Sequence, residues 1–384
     1  MLQKPDYDYI ILGGGCAGLS LIMHMLTSSH LSNKRILLIE KEVKDKNDRT
    51  WCFWEKGNGF FESIVHRKWN HAWFHADGYS SLKTLGPYAY KMIRGLDFYQ
   101  HCYAVMRESG RVDLLHESVK KVNNANGLVV VTTQNKVIQG KYAFNSIMAE
   151  QTAYKKDDLV LLQHFKGWII ETPSAFFDTE NATLMDFRVN QDEGTTFIYV
   201  MPLSPTQALV EYTLFTSSLL SDEHYEWALK NYIAEYLKLN EYSIKEKEFG
   251  IIPMTNHQFS VGEGAVINIG TAGGQTKPSS GYTFRFIQKH VHAIVGLLDE
   301  GKHPLVKKSL FEKRFMWFDS VLLYILYHKK MPGARVFSLM FSKNKISRIF
   351  KFLDNETALH EELVLLNTLP QWPFMMAGFK VMMK

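Results

Sequence analysis

The sequence predicts an α/β fold: a Rossmann-like nucleotide-binding unit, split along the chain, with an inserted β-sheet domain and C-terminal helices. Three observations predict it. The stretch YDYIILGGG, from Tyr7, is a β-branched and aromatic run that ends in glycines. CAGLSLIMHML follows with apolar residues at helical spacing, and RILLIEK adds a second buried strand ending at Glu40. Strand, glycine turn, helix and strand make a βαβ unit. Far downstream, VINIGTAGG from Val266 repeats the strand-then-glycine-turn pattern, so the chain returns to the same kind of fold.

Between these points the pattern is mostly strand. From about Lys83 to Tyr142, short strand runs (VDLLHES, LVVVTTQ, KYAFNSI) alternate with turn residues such as NNANG. Gly167 to Thr216 is strand-like, with FIYVMPL and ALVEYTLFT alternating. Residues 220–245, containing DEHYEWALKNYIAEYLKL, read as a helix, and another runs from about Tyr282 to Leu298. Beyond it the chain stays helical and rich in Phe, Met, Leu and Lys. This ordering predicts a nucleotide-binding domain of 1–80, 110–170 and 260–300. A substrate-binding sheet domain of 81–109 and 171–259 and a helical region of 301–384 complete the division.

Composition narrows the function classes. The 384 residues are 46% hydrophobic and 22% charged, as in an ordinary globular protein. A formal charge of +5 suits an anionic cofactor or an anionic membrane surface, but scattered Lys and Arg argue against nucleic acid. Cys16, Cys52 and Cys102 form neither a disulfide framework nor a metal spacing, so a reducing, cytoplasmic setting is expected. No signal-peptide pattern precedes the first strand. The longest apolar runs, such as SVLLYILYH, fall short of the ~20 residues that a spanning helix needs. A peripheral position on a membrane stays open.

Gly13, Gly15 and Gly18 form G-x-G-x-x-G between strand and helix. That spacing allows a tight turn, backbone approach to a pyrophosphate and close helix–strand packing, with the helix N-terminus facing the phosphates. Glu40, closing the next strand, would accept from ribose hydroxyls and repel a 2′-phosphate, so the unit fits the ADP part of FAD better than NADP. GTAGGQTKPSSGYTF is a second flavin-type element, in which Gly270, Gly273, Gly274 and Gly281 permit close backbone approach to an isoalloxazine ring. Thr271 stands where an aspartate is usual.

Two carboxylates draw attention. Glu211 lies among apolar residues in ALVEYT; facing inward it would hold a proton near neutral pH, and facing outward it is a surface glutamate. Asp186 in LMDFR carries the same ambiguity. His66, His71 and His75 in HRKWNHAWFH lack H-E-x-x-H and suit a strand, so no metal is expected. No G-x-S-x-G, P-loop or C-x-x-C occurs, so hydrolase and kinase readings have no support.

The strings ILGGGCAGLS, NDRTWCFW, FKGWIIET, LMDFR, FIYVMPLSPTQALVEYT and GTAGGQTKPSSGYTF occur in an order that resembles the flavin-dependent lycopene β-cyclases of carotenoid biosynthesis. The resemblance runs from Tyr7 into the tail, and DRTWCFW is its most specific piece. It implies FAD, active when reduced, with NADPH as electron donor. It also implies a substrate of lycopene or other acyclic carotenoid ends, a peripheral place on the cytoplasmic membrane face, and possible contact with other carotenoid enzymes. Arg49 is then placed near the flavin, Trp51, Phe53 and Trp54 along a polyene channel, and Glu211 as the acid. Tyr212 occupies the second position of the family's usual acidic pair. Rivals on the same architecture are a flavin monooxygenase, a prenyl-chain reductase, and a membrane-surface flavin protein that carries carotenoids without converting them.

Overall fold

The computed structural model describes residues 5–125, 127–148 and 152–383. The chain begins with β1 (Tyr7–Leu12), α1 (Cys16–Thr27) and β2 (Ile36–Ile39), then β3 (Thr50–Lys56), β4 (Arg67–Trp69), β5 (His71–Ala76), β6 (Tyr79–Thr84) and β7 (Tyr88–Arg94). After α2 (Gly95–Ser109) come β8 (Val112–Leu115), β9 (Val119–Ala125), β10 (Leu128–Thr133) and β11 (Val137–Asn145). Four long strands follow: β12 (Val160–Glu171), β13 (Asn181–Asp186), β14 (Thr195–Pro202) and β15 (Gln207–Thr216). Then come α3 (Asp222–Glu235), β16 (Ser243–Thr255), β17 (Gly262–Glu263), β18 (Val266–Asn268) and α4 (Phe284–Asp299). The end is helical: α5 (Leu310–Tyr327), α6 (Gly333–Lys343), α7 (Ile346–Leu353), α8 (Leu359–Leu366) and α9 (Gln371–Met382).

The strands make three sheets. The nucleotide sheet runs β17-β18-β11-β1-β2-β8, with β1 parallel to both β11 and β2, and β10 and β9 attached at β11. Its strands are apolar on both faces because both are covered. Ile11 and Leu38 join Leu19, Ile22, Phe98 and Val291 of the helices, whereas Ile10, Leu12 and Leu37 pack against Val129 and Val131 of β10. The larger sheet runs β16-β12-β15-β14-β13-β5-β6. One face packs on Tyr225, Leu229 and Tyr232 of α3, and the other meets Phe337, Phe341 and Phe350 of the C-terminal helices. A small sheet, β3-β7-β4, lies alongside.

The elements differ from expectation in three places. Residues 95–109 are the helix α2, where strands are expected; Phe98, Cys102 and Met106, at four-residue spacing, are buried in the nucleotide-domain core. The large sheet takes β5, β6 and β12 as well. The expected boundaries at 80, 109 and 170 therefore move, because β5 pairs with β13 and β12 pairs with both β15 and β16. The helix expected over 220–245 stops at Glu235, and β16 begins at Ser243. Among the described residues no helix is long and apolar enough to cross a membrane.

Candidate functional site

Among the described residues, no side chain caps the helix end that follows the first glycine loop. Gly15 caps α1 without any side-chain bond, and the first turn carries no acidic residue. A helix N-terminus buried in this way has free amides and a positive dipole end, which suit an anion. Each glycine does a different thing. Gly13 has φ +96°, and a Cβ there would lie 2.4 Å from Ser146 Oγ. At Gly18 a Cβ would lie 2.1 Å from the Gly13 carbonyl, so this glycine lets helix and turn touch. At Gly15 a Cβ would meet nothing within 4 Å, so this position faces open space. Glu40 is buried beside the loop; its Oε2 accepts from Gly14 N at 2.6 Å and its Oε1 from Glu42 N at 2.9 Å. A carboxylate oxygen has two acceptor positions, so capacity for ribose hydroxyls remains.

The second glycine loop is pressed against the first. Gly270 has φ +63°, and its added Cβ would lie 2.7 Å from Ala17 Cβ. Gly273 and Gly274 turn the chain after β18, and Gly281, at φ +71°, lies close over Gln163. The fit of the residues to a dinucleotide is therefore good at both loops: uncapped amides, open space at Gly15, and backbone brought close where side chains would obstruct.

A cavity of about 490 Å³ lies between the second loop, the start of β3 and the face of the large sheet. Arg49, Trp51, Thr271 and Gly281 line one side; Phe165, Leu209 and Pro253 line the other. Glu211 and Glu248 belong to the sheet wall. In register, Glu248 on β16 is opposite Gly167 on β12, Gly167 is opposite Glu211 on β15, and Glu211 is opposite Tyr199 on β14. Side chains opposite each other across strands share a face, so the four positions form one row.

Burial pushes the Glu211 carboxyl well above the usual carboxylate range, and the adjacent Glu248 pushes it further. The Thr213 hydroxyl, donating to Glu211 Oε1 at 2.9 Å, opposes this only in part. What surface Glu211 exposes is cavity wall. Burial also raises Glu248, against the Thr50 hydroxyl donating to its Oε2 at 2.8 Å. Two carboxyls side by side in such a wall resist ionising together. Tyr199 and Tyr282 complete the wall, their hydroxyls 3.4 Å apart; burial pushes the Tyr282 phenol up to about 12.

Asp186 lies elsewhere. Its side chain is fully buried under α3, bonded by Arg188 (Nε to Oδ1, 2.9 Å) and by the Tyr232 hydroxyl (2.8 Å). Burial raises its carboxyl, but the bonds from Arg188 outweigh this and hold it below the usual range. An ionised, ion-paired carboxylate outside the cavity lining is not placed to give a proton, which corrects the expectation for Asp186. The three aromatics of the channel also divide. Trp51 lines the cavity, edge-on to Phe98 at 5.2 Å. Phe53 instead stacks on Phe284 at 4.3 Å, and Trp54 on Phe350 at 4.5 Å, so these two build core. Among the described residues no group of three or more His, Cys, Asp or Glu side chains converges to hold a metal.

Residues 8–378 match the family described as lycopene cyclase protein. The chain belongs to the lycopene cyclase family. A curated relative, the lycopene β-cyclase of Pantoea ananas, is 24% identical over 266 residues, which is 66% of this chain. The chain spans 64% of the length of that relative. Among solved structures, a geranylgeranyl bacteriochlorophyll reductase-like protein of Thermoplasma acidophilum aligns at TM-score 0.65 and 13% identity, over 94% of this chain and 95% of the other. A flavoprotein/dehydrogenase of Cytophaga hutchinsonii aligns at 0.62 and 11% over 98% and 99%. A p-nitrophenol 4-monooxygenase of Pseudomonas putida aligns at 0.59 and 12% over 96% and 98%. These are likenesses of fold, and the fold is the Rossmann-type α/β fold of flavoproteins.

In this lycopene cyclase family member the sequence pattern misses Glu248, Tyr199 and Tyr282. Glu248 ends the charged run KEKE, which carries no motif. The tyrosines sit inside motifs noted for other residues. The strand register puts Glu248 and Tyr199 in the row of Glu211, and Tyr282 joins them through its hydroxyl, 3.4 Å from that of Tyr199.

Proposed function

We propose that this chain is a lycopene β-cyclase that converts acyclic carotenoid ends to β-rings without net redox change. The single observation that supports it best is the Glu211 carboxyl, set beside Glu248 and pushed above the usual carboxylate range by burial, on the wall of a cavity that borders the second glycine loop. An alkene is protonated only by an acid that water does not compete with, and a buried neutral carboxyl meets that need.

Gly13, Gly15, Gly18 and Glu40 would hold the ADP part of FAD, and Gly270, Gly273, Gly274, Gly281 and Arg49 would flank the rest. Bound in reduced form, the flavin would supply negative charge beside a developing cation, with NADPH serving only to reduce it. The chain's own residues do the following. Glu211 gives its proton to the terminal double bond, forming a C–H bond as its O–H bond breaks. The chain end folds and the ring closes, leaving a tertiary cation. Trp51 and the buried tyrosines present aromatic faces that favour cations. Loss of a ring proton sets the double bond, so product and substrate are isomers.

Expression in cells that accumulate lycopene, followed by pigment chromatography and mass measurement, tests this. Cyclised product of unchanged mass supports the reading. Hydrogenated or oxygenated product would replace it with the reductase or monooxygenase, and no conversion with a carotenoid carrier.

The same reading carries a location. α8 and α9 expose Leu359, Leu363, Trp372, Met375 and Phe379, with Lys380 among them. An apolar helical surface with lysine at its edge suits the interface of an anionic bilayer, where a hydrocarbon substrate resides. Peripheral attachment to the cytoplasmic membrane face is the location proposed.

A further inference from the structure

We propose that Glu211 and Glu248 work as one acid that shares a single proton across Gly167, with Glu248 the residue that keeps this proton in place. The proposal rests on the cyclase reading for its purpose, but its geometry does not depend on the substrate.

Glu248 and Glu211 lie on strands that do not touch; β12 runs between them. Adjacent strands are about 4.7–4.9 Å apart, so the two glutamates stand two strand spacings from each other. Both face Gly167. A Cβ at residue 167 would lie 2.9 Å from Glu248 Cγ and 3.0 Å from its Oε1. The missing side chain leaves the gap across which the two carboxyls act on each other.

Two further observations say where the proton is. Glu248 Oε1 is buried and receives no bond from any donor among the described residues. A buried carboxylate oxygen left without a donor is costly, and a proton carried by Glu211 would satisfy it. Glu248 Oε2 takes the Thr50 hydroxyl, and Arg49 lies near enough to favour the charged form. Glu248 is thus equipped to be the ionised partner. Of the other titratable groups around the pair, Glu246 on β16 works against the charge on Glu248, opposite to Arg49, while Cys52 on β3, Tyr199 on β14 and Tyr282 before α4 are held neutral by burial.

The chemical consequence is a cycle. When Glu211 passes its proton to the alkene, two adjacent carboxylates remain, a high-energy arrangement that takes a proton back readily. The proton lost from the ring carbon after closure restores the shared O–H···O pair. One O–H bond is broken and one re-formed, no electrons are transferred, and the enzyme ends as it began. Glu248 is a positioning residue in this scheme, because it acts through Glu211.

The test compares Glu248→Gln, Glu248→Asp and Gly167→Ala in the flavin-loaded protein. Infrared difference spectroscopy over a pH titration reads the carboxyl proton directly and needs no turnover; Glu211→Gln assigns the band. Wild type should hold the protonated band well above neutral pH. Glu248→Gln removes the charge that raises Glu211, and Gly167→Ala wedges the pair apart. Both should move loss of the band, and the alkaline limb of kcat, down by on the order of one pH unit or more. Glu248→Asp should recover part of the shift. Unchanged titration of Glu211 in Glu248→Gln and Gly167→Ala would overturn the shared proton, even if lycopene is cyclised. A normal titration in a protein that does not cyclise lycopene would instead sink the cyclase reading and leave the pair intact.

Discussion

Gly270 and Ala17 hold the two glycine loops in contact, with room for no more than a hydrogen where a Cβ on Gly270 would come within 2.7 Å of Ala17 Cβ. The contact joins the turn after β18 to the first turn of α1. It is the reason that a loop near residue 270 and a loop near residue 13 can serve one extended cofactor.

The glycines of the first loop should respond differently to substitution. Gly15→Val adds atoms to open space, so thermal unfolding should stay near wild type while bound flavin absorbance is lost. Gly18→Val drives a side chain into the Gly13 carbonyl, 2.1 Å away, and should lower stability as well. A folded Gly15→Val protein with full flavin would contradict the phosphate site.

Asp186→Asn should cost stability and spare chemistry. Removing one partner of a fully buried ion pair costs roughly 3–5 kcal/mol, and partial exposure of Arg188 reduces this to the order of 2–3. Urea unfolding gives the loss; cyclisation by the folded fraction should stay within a few-fold of wild type. A catalytic collapse at unchanged stability would return the acid role to Asp186.

Acid should weaken the fold through buried histidines. Burial drives His164, bonded to the Tyr225 hydroxyl at 2.6 Å and to Thr216 Oγ1 at 2.7 Å, down to about 4, and drives His290 to the same region. Unfolded histidine titrates near 6.5, so the unfolded chain takes up protons first as pH falls. The contribution is therefore whole above pH 6.5 and is lost on the way down through pH 4. Denaturation midpoints at pH 7.5, 6 and 4.5 should decline in that order, and less steeply in His164→Gln. A flat profile would refute it.

Membrane docking is tested by flotation with anionic vesicles. Trp372 and Phe379 are 73% and 59% exposed, whereas Gly378 packs α9 on Trp317. Replacing both aromatics by glutamate should therefore leave the fold intact and abolish flotation. No flotation of the unaltered protein, or no change in the double variant, would remove the proposed surface.

The parts of the fold that read well from sequence are those where one local period decides. The βαβ unit is the clearest, since apolar runs, glycines and Glu40 all agree within the 34 residues from Tyr7 to Glu40. The helix α2 was obscured because its aromatics, Phe98, Tyr99 and Tyr103, suit strands equally; burial against α1 and β8 selects the helix. Trp51, Phe53 and Trp54 cannot be told apart by composition. Phe284 and Phe350, both distant in sequence, decide which rings become core. Glu248 was hidden for the same reason. It meets Glu211 only across a strand that belongs to neither, and only because residue 167 is glycine.

Anaerobic cyclisation of lycopene by the Glu211→Gln protein with dithionite-reduced FAD decides whether Glu211 supplies the initiating proton. Glutamine keeps the size and hydrogen bonding of the side chain and removes the acidic proton. General acid–base groups contribute about 10²–10⁴-fold, so ring formation should fall by that factor while flavin content is unchanged. Activity within a few-fold of wild type would contradict the account and assign the proton to another donor.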